Sequence, residues 1–174
     1  MFEKSEEYVT KIDYDQPLEK MIEAGHFDQV DIHITPKVFP VQGRGVLERR
    51  ALLVQFSADY ITSSQQIIDG LGKESLRTAK HEELLAFACG YPDLQRSFPI
   101  VALRVRPATY GELLEINRRA LDEYSQRLKD SVPCNWSELD FNMCLGGDAS
   151  GRTLFINCRH RNWSKMTRFL AFRE

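Results

Sequence analysis

No stretch of the 174-residue chain approaches the roughly 18 uninterrupted apolar residues that a helix needs to cross a bilayer. Its start, MFEKSEEYVTKIDYDQ, also lacks the apolar core of a secretion signal. A soluble protein of the cytoplasm with no membrane partner is therefore expected. Net charge is nearly absent too: 23 Lys and Arg face 25 Asp and Glu, for a formal −2. That falls short of the basic balance of nucleic-acid domains. Cysteine is scarce and scattered. Cys89, Cys134, Cys144 and Cys158 form no C-x-x-C pair, which excludes the common thiol-exchange and zinc spacings. Their largely apolar neighbours suggest buried thiols in a reducing compartment.

Recognisable catalytic signatures are missing as well. There is no Gly-x-Ser-x-Gly elbow, no His-Glu-x-x-His helix and no paired Cys and His pattern. Asp69-Gly-Leu-Gly-Lys73 lacks both the earlier glycine and the following hydroxyl of a Walker-type phosphate loop, so it reads as a helix end. Gly43-Arg-Gly45 precedes a strand instead of a helix, which removes it as a dinucleotide fingerprint. No cofactor is expected, and the reading leans away from an enzyme.

What is present is ordinary globular composition, 43% hydrophobic and 28% charged, in a length suited to one domain spanning residues 1–174. Tyr8, Thr10, Ile12 and Tyr14 alternate with Val9, Lys11 and Asp13, the period of a half-exposed strand whose charged face implies a sheet edge. Asp15 and Pro17 then open a short helix carrying Leu18, Met21 and Ile22, closed by Gly25. A breaker-rich loop follows, holding one short strand or turn around residues 30–34.

Val46 to Phe56 is the clearest strand, polar at first and apolar on both faces later, so it should enter the core at Ala51. Ser63 or Ser64 caps a brief helix that Gly70 and Gly72 would stop. Thr78 is placed to cap a helix over residues 79–89. Residues 100–105 form an apolar strand, and residues 108–129 an amphipathic helix with Leu113, Ile116, Ala120 and Tyr124 on its buried side. Three strands close the chain, over residues 139–145, 152–159 and 166–173. The first two are joined across Gly146-Gly-Asp-Ala-Ser-Gly151 as a hairpin. The fold class that follows is α+β, with short helices on a mostly antiparallel sheet built largely from residues 100–106 and 139–173 and a C-terminal β-meander. A C-type-lectin-like arrangement is the alternative.

Two features are candidates for function. Charge is uneven: residues 1–31 carry a local −6 and residues 151–174 a local +5 before the terminal carboxylate. The basic end contains Arg159, His160, Arg161, Asn162, Trp163 and Lys165, a mixture of cationic forks, amide and indole suited to an acidic protein surface or to phosphate contacts with base stacking. Asn135-Trp136-Ser137 is echoed by Asn162-Trp163-Ser164, each triplet leading into a strand. Near the other end, His26 and His33 bracket Asp28 and Asp31. His26, Asp28 and His33 are the candidates for a metal or an acid–base pair, although solvated side chains are the commoner outcome and no metal is expected. A non-enzymatic binding or interaction module using the basic aromatic loop, with a protein partner, is the leading expectation. Association with nucleic acid and an unrecognised enzyme or metal site near His26 and His33 are the alternatives.

The run Glu82-Glu-Leu-Leu-Ala-Phe-Ala-Cys-Gly-Tyr-Pro-Asp-Leu-Gln-Arg-Ser-Phe-Pro-Ile-Val-Ala-Leu103 resembles a group of small uncharacterised bacterial proteins. They share a Leu-Leu-Ala-Phe, Tyr-Pro, Leu-Gln, Phe-Pro-Ile-Val-Ala-Leu pattern. Arg168-Phe-Leu-Ala-Phe-Arg173 is similar to their closing strand, and residues 34–45, with Phe39-Pro40, to their N-terminal half. The chain departs from the group after Leu103, where Arg104 and a long helix replace the usual Gly-Ser and short loop. The resemblance implies a small bacterial protein and supplies no activity and no site.

Overall fold

The structure is a computed structural model that describes residues 2–56, 63–103, 141–157 and 163–174. Among these residues eight strands form one mixed sheet: β1 (Phe2–Asp13), β2 (Gln29–Val30), β3 (Val46–Phe56), β4 (Leu76–Thr78), β5 (Ile100–Ala102), β6 (Asn142–Gly147), β7 (Arg152–Asn157) and β8 (Arg168–Arg173). Four helices among the described residues accompany it: α1 (Leu18–Ala24), α2 (Ser64–Lys73), α3 (His81–Gly90) and α4 (Leu94–Ser97). The spatial order is β1-β3-β8-β5-β6-β7-β2, with β4 also paired to β8. Five of the seven ladders among the described residues are antiparallel; β5 with β8 and β2 with β7 run parallel.

The α+β class and the mostly antiparallel sheet stand, but β1 and β3 are full members of it, so the sheet extends beyond residues 100–106 and 139–173. Helices cover both of its faces, which explains why several strands are apolar on consecutive residues. Ala51 and Leu53 of β3, Ile100 and Ala102 of β5, Met143 and Leu145 of β6, and Leu170 and Phe172 of β8 pack with Leu84, Leu85, Phe87 and Ala88 of α3. The intervening residues Leu52, Val54, Val101, Cys144, Phe169 and Ala171 pack with Ile67 and Leu71 of α2. Each fully buried Leu, Ile or Phe contributes about 1.5–3 kcal/mol through removal from water. Residues 46–50 are exposed and residues 51–54 buried, so β3 does enter the core at Ala51.

Local chemistry sets the helix ends. Ser63 accepts the Gln66 N–H at 3.2 Å while Gln66 Oε1 takes the Ser63 N–H at 2.9 Å, a reciprocal capping box. The helix α2 then runs through Gly70 and Gly72 to Lys73, past the glycines expected to stop it, and Asp69 to Lys73 is simply its last turn. Pro17 occupies the N-cap of α1, and Asp15 instead accepts the Gly45 N–H at 2.8 Å, pinning the turn in which Gly45 adopts φ +76°. Thr78 does not cap α3. It lies in β4, where its hydroxyl bonds both the N–H and the C=O of Leu103 at 2.9 and 3.1 Å and stitches β4 to the end of β5.

The β6–β7 hairpin forms as expected, with Gly147 opposite Arg152 and Asp148 holding the turn through the Ser150 N–H and hydroxyl. The helix expected over residues 108–129 lies outside the described residues. No helix among the described residues is long and apolar enough to cross a membrane.

Candidate functional site

β1 terminates the sheet, and among the described residues it pairs only with β3. Its alternation is fixed by two bonds on opposite sides. The Tyr14 N–H reaches inward to Gly45 O at 3.0 Å, whereas the Val9 carbonyl points outward and accepts the Tyr91 hydroxyl at 2.7 Å. Even-numbered residues of β1 therefore turn their N–H and C=O toward β3, and Glu7, Val9, Lys11 and Asp13 turn theirs to the open edge. Tyr91 takes the Val9 carbonyl, and the Gln16 N–H takes the Asp13 carbonyl at 3.4 Å. The Lys11 N–H and C=O lie between these two caps and face outward.

A groove of about 550 Å³ runs along this edge. Thr10 and Lys11 line one side, Met21 of α1 another, and Leu85, Cys89 and Tyr91 at α3 the third. Its bed is largely apolar, and its size suits a ligand of several residues. Cys89, expected to be buried, is exposed here because it sits in the last turn of α3, beyond the part of the helix wrapped by the sheet. Cys144 is buried, and neither it nor Cys89 is in a disulfide; Cys134 and Cys158 lie outside the described residues. Thr10 is only 2% exposed, and its hydroxyl has no hydrogen-bond partner.

A buried polar network holds the walls. Glu83 is fully buried, and Arg77 grips it with two bonds of 2.8 and 2.6 Å while the Lys80 N–H and the Tyr14 hydroxyl add bonds of 2.8 and 3.2 Å. Burial pushes the Glu83 carboxyl up, but the Arg77 fork and these donors outweigh it and hold the group below the usual carboxylate range. Tyr14 answers in the opposite direction: burial and then the adjoining Glu83 charge push its phenol up to about 12. Glu82 accepts the Gln42 N–H at 2.7 Å, tying the segment before β3 onto α3. Its second oxygen lies 3.5 Å from His81 Nδ1, and burial drives the His81 imidazole below its ordinary value.

Arg152, at the start of β7, spans both helix walls. Its guanidinium donates to Gly25 O, just past α1, to Ala88 O near the end of α3 at 3.0 Å, and to Gln95 Oε1 at 3.0 Å. Carbonyls at helix C-termini lack intrahelical partners and carry partial negative charge, so one cation satisfies two helix ends. The Phe27 ring lies beneath it at 5.2 Å. The Asp28 carboxylate takes the Arg152 N–H at 2.7 Å, so the acidic head and the basic tail meet here through backbone bonds and helix ends.

Of the residues singled out in the sequence, Trp163, Lys165, His26, Asp28 and His33 are among those described. Trp163 turns toward the sheet: its indole donates to Ser64 Oγ at 3.3 Å and stands edge-on to Phe169 at 5.6 Å. Lys165 is exposed, and Arg159, His160, Arg161 and Asn162 lie outside the described residues. His33 Nδ1 is 2.7 Å from Asp31, whose other oxygen reaches the Ile156 N–H at 3.4 Å. His26 is exposed beyond α1 at φ 48°, and Asp28 serves β7. Among the described residues no three His, Cys, Asp or Glu side chains come together as a metal site. The groove residues Thr10, Lys11, Cys89 and Tyr91 went unselected, although the alternation that marked β1 as an edge was a usable signal for the first two. Compared with protein-family models, curated proteins and solved structures, the chain matches none.

Proposed function

We propose that the protein is a non-enzymatic interaction module that takes an extended segment of a partner protein into the groove beside β1, as an added strand. The observation that carries this reading is the outward-facing Lys11 N–H and C=O on a sheet edge that no described strand covers, set beside an apolar bed. An edge strand of this kind offers main-chain hydrogen bonds for affinity, and the adjoining pockets read alternate side chains. The caps at Val9 and Asp13 restrict the opening to a short stretch, which also guards the edge against indiscriminate pairing. α1 and α3 flank the edge closely, so the groove favours a single strand over a whole second sheet.

Lys11→Pro tests the reading. It removes the outward N–H without touching a β1–β3 bond, and proline is tolerated on sheet edges. Decapeptides selected from a random displayed library should slow hydrogen exchange at the Lys11 amide and lose most of their binding to Lys11→Pro, while its circular dichroism is retained. Peptides that bind wild type and Lys11→Pro equally would defeat the proposal, as would a selection that yields no binder.

A further inference from the structure

We propose that the segment added at β1 runs antiparallel and carries the order basic, apolar, acidic, apolar, with its acidic residue opposite Lys11 and its basic residue opposite Asp13. This names the partner chemistry of the groove and rests on strand addition at Lys11. Strand alternation puts Val9, Lys11 and Asp13 on one face of β1 and Tyr8 and Ile12 on the other, where Ile12 packs with Met21 of α1 and Leu85 of α3. Lys11 is exposed, and among the described residues it makes no ion pair, although Glu48 is its cross-strand neighbour on β3. Two residues on, the partly exposed Asp13 carboxylate accepts the Asp15 N–H and the Gln16 side-chain amide, both at 3.1 Å. Those bonds use two of the roughly four lone-pair sites that a carboxylate offers. The edge thus presents a cation and an anion on one face, in a fixed order.

Pairing geometry makes that order readable. When a partner residue exchanges both main-chain bonds with Lys11, the two side chains share a face, with Cβ atoms about 4.5–5.5 Å apart. The residue two places earlier in an antiparallel partner then falls opposite Asp13. Opposite charges at both places stabilise the pairing, and like charges oppose it. The residue between them and the one after the acid project to the other face, the apolar side of the groove lined by Met21, Ala24, Leu85 and Ala86, where an apolar side chain leaves water. Val9, 54% exposed, offers a further apolar contact beyond Lys11. β1 itself reads Lys11-Ile12-Asp13, so a second copy carries the same order. Its Ile12 is already fully buried with its own α1 and α3, however, and two sets of flanking helices would compete for one groove. The occupant is therefore an extended segment of another protein.

The probes are labelled synthetic octapeptides, acetylated and amidated, with lysine, valine, glutamate, valine and valine in that order at the centre and threonine flanks. Composition-matched peptides exchange the lysine and the glutamate, which cancels any general attraction of cations to the −6 carried by residues 1–31. Affinity is read by fluorescence anisotropy, and register by hydrogen exchange at the amide of residue 11. At low ionic strength the first order should bind wild type about tenfold more tightly, two favourable cross-strand pairs against two unfavourable ones, and the ratio should fall as salt is added. Lys11→Glu leaves one pair of each kind with either order, so its ratio should be about one, and a peptide with lysine at both charged places should become its best ligand. Serine in place of the two inward valines should weaken binding to wild type about tenfold. A preference that survives in Lys11→Glu, or a wild-type preference for the exchanged order, overturns the proposal; serine peptides that bind equally overturn its apolar part. Peptides of both orders that protect the residue-11 amide equally overturn the charge order and leave strand addition standing. Dimers in sedimentation that dissociate in Lys11→Glu replace the foreign segment with a second copy. Failure of every peptide to bind or to protect that amide removes strand addition, and the charge order with it.

Discussion

Replacing Arg152 with methionine should remove a large part of the protein's stability. Methionine keeps an unbranched apolar stem against Phe27 but strips the donors from Gly25 O, Ala88 O and Gln95 Oε1. Each buried acceptor left without a partner costs about 1–3 kcal/mol, which for three gives about 3–9 kcal/mol. Two effects act the other way. The guanidinium Nε already lacks a partner, and burial disfavours the charge, lowering its proton affinity. A net loss of about 3 kcal/mol follows, a large share of the roughly 5–15 kcal/mol that holds a domain together. For a chain of this length that corresponds to a drop in Tm of about 6–12 °C. Arg152→Lys should recover only part of the loss, about 1 kcal/mol, since an ammonium keeps the charge near two helix ends but cannot reproduce the planar fork. Urea unfolding followed by both circular dichroism and tryptophan fluorescence measures each value. A methionine variant within 1 kcal/mol of wild type, or a lysine variant indistinguishable from it, would refute the clamp.

Glu83→Gln should cost about 2 kcal/mol at pH 7, because an amide accepts less well from Arg77 and brings a donor into an acceptor's place. Its pH dependence is the sharper readout. A carboxyl held low in the folded state contributes stability that is fully present above its unfolded value of about 4.3 and is lost as pH falls through the folded value. The gap between wild type and Glu83→Gln should accordingly close below about pH 4.3 in urea titrations; a gap that is constant from pH 7 to pH 3 would contradict the pairing. Ser63→Ala removes one partner of the α2 capping box and should cost about 1 kcal/mol, with faster amide exchange confined to the first turn of that helix. Exchange that rises uniformly through α2 would point away from a local cap.

β3 was legible in detail because its burial changes along its own length: five residues exposed to water, then four apolar residues packed between layers. β4 was not, since Leu76, Arg77 and Thr78 show no period and become a strand only by pairing with β8. The same local ambiguity misplaced Thr78, whose hydroxyl is equally suited to a helix N-terminus and to the Leu103 backbone; the tertiary partner prevailed. Glu82 and Glu83 look like a solvated first turn in one dimension. Burial of both depends on Arg77, Tyr14 and Gln42, up to 69 residues away in sequence, so no local window contains the reason. The groove was half visible: alternation identified an edge strand, but Cys89 and Tyr91 reach it only through the placement of α3.

β8 follows every other described strand in the chain, yet it takes the middle of the sheet, with β3 on one side and β4 and β5 on the other. During folding the β1–β3 pair and the β5–β6–β7 group are therefore separate pieces, each with an unpaired apolar margin, until β8 docks between them. Closing them requires contacts of long sequence separation, which are slow to form. The interval before closure is when such margins find one another on different chains. Yield of folded protein should thus depend on how quickly β8 docks.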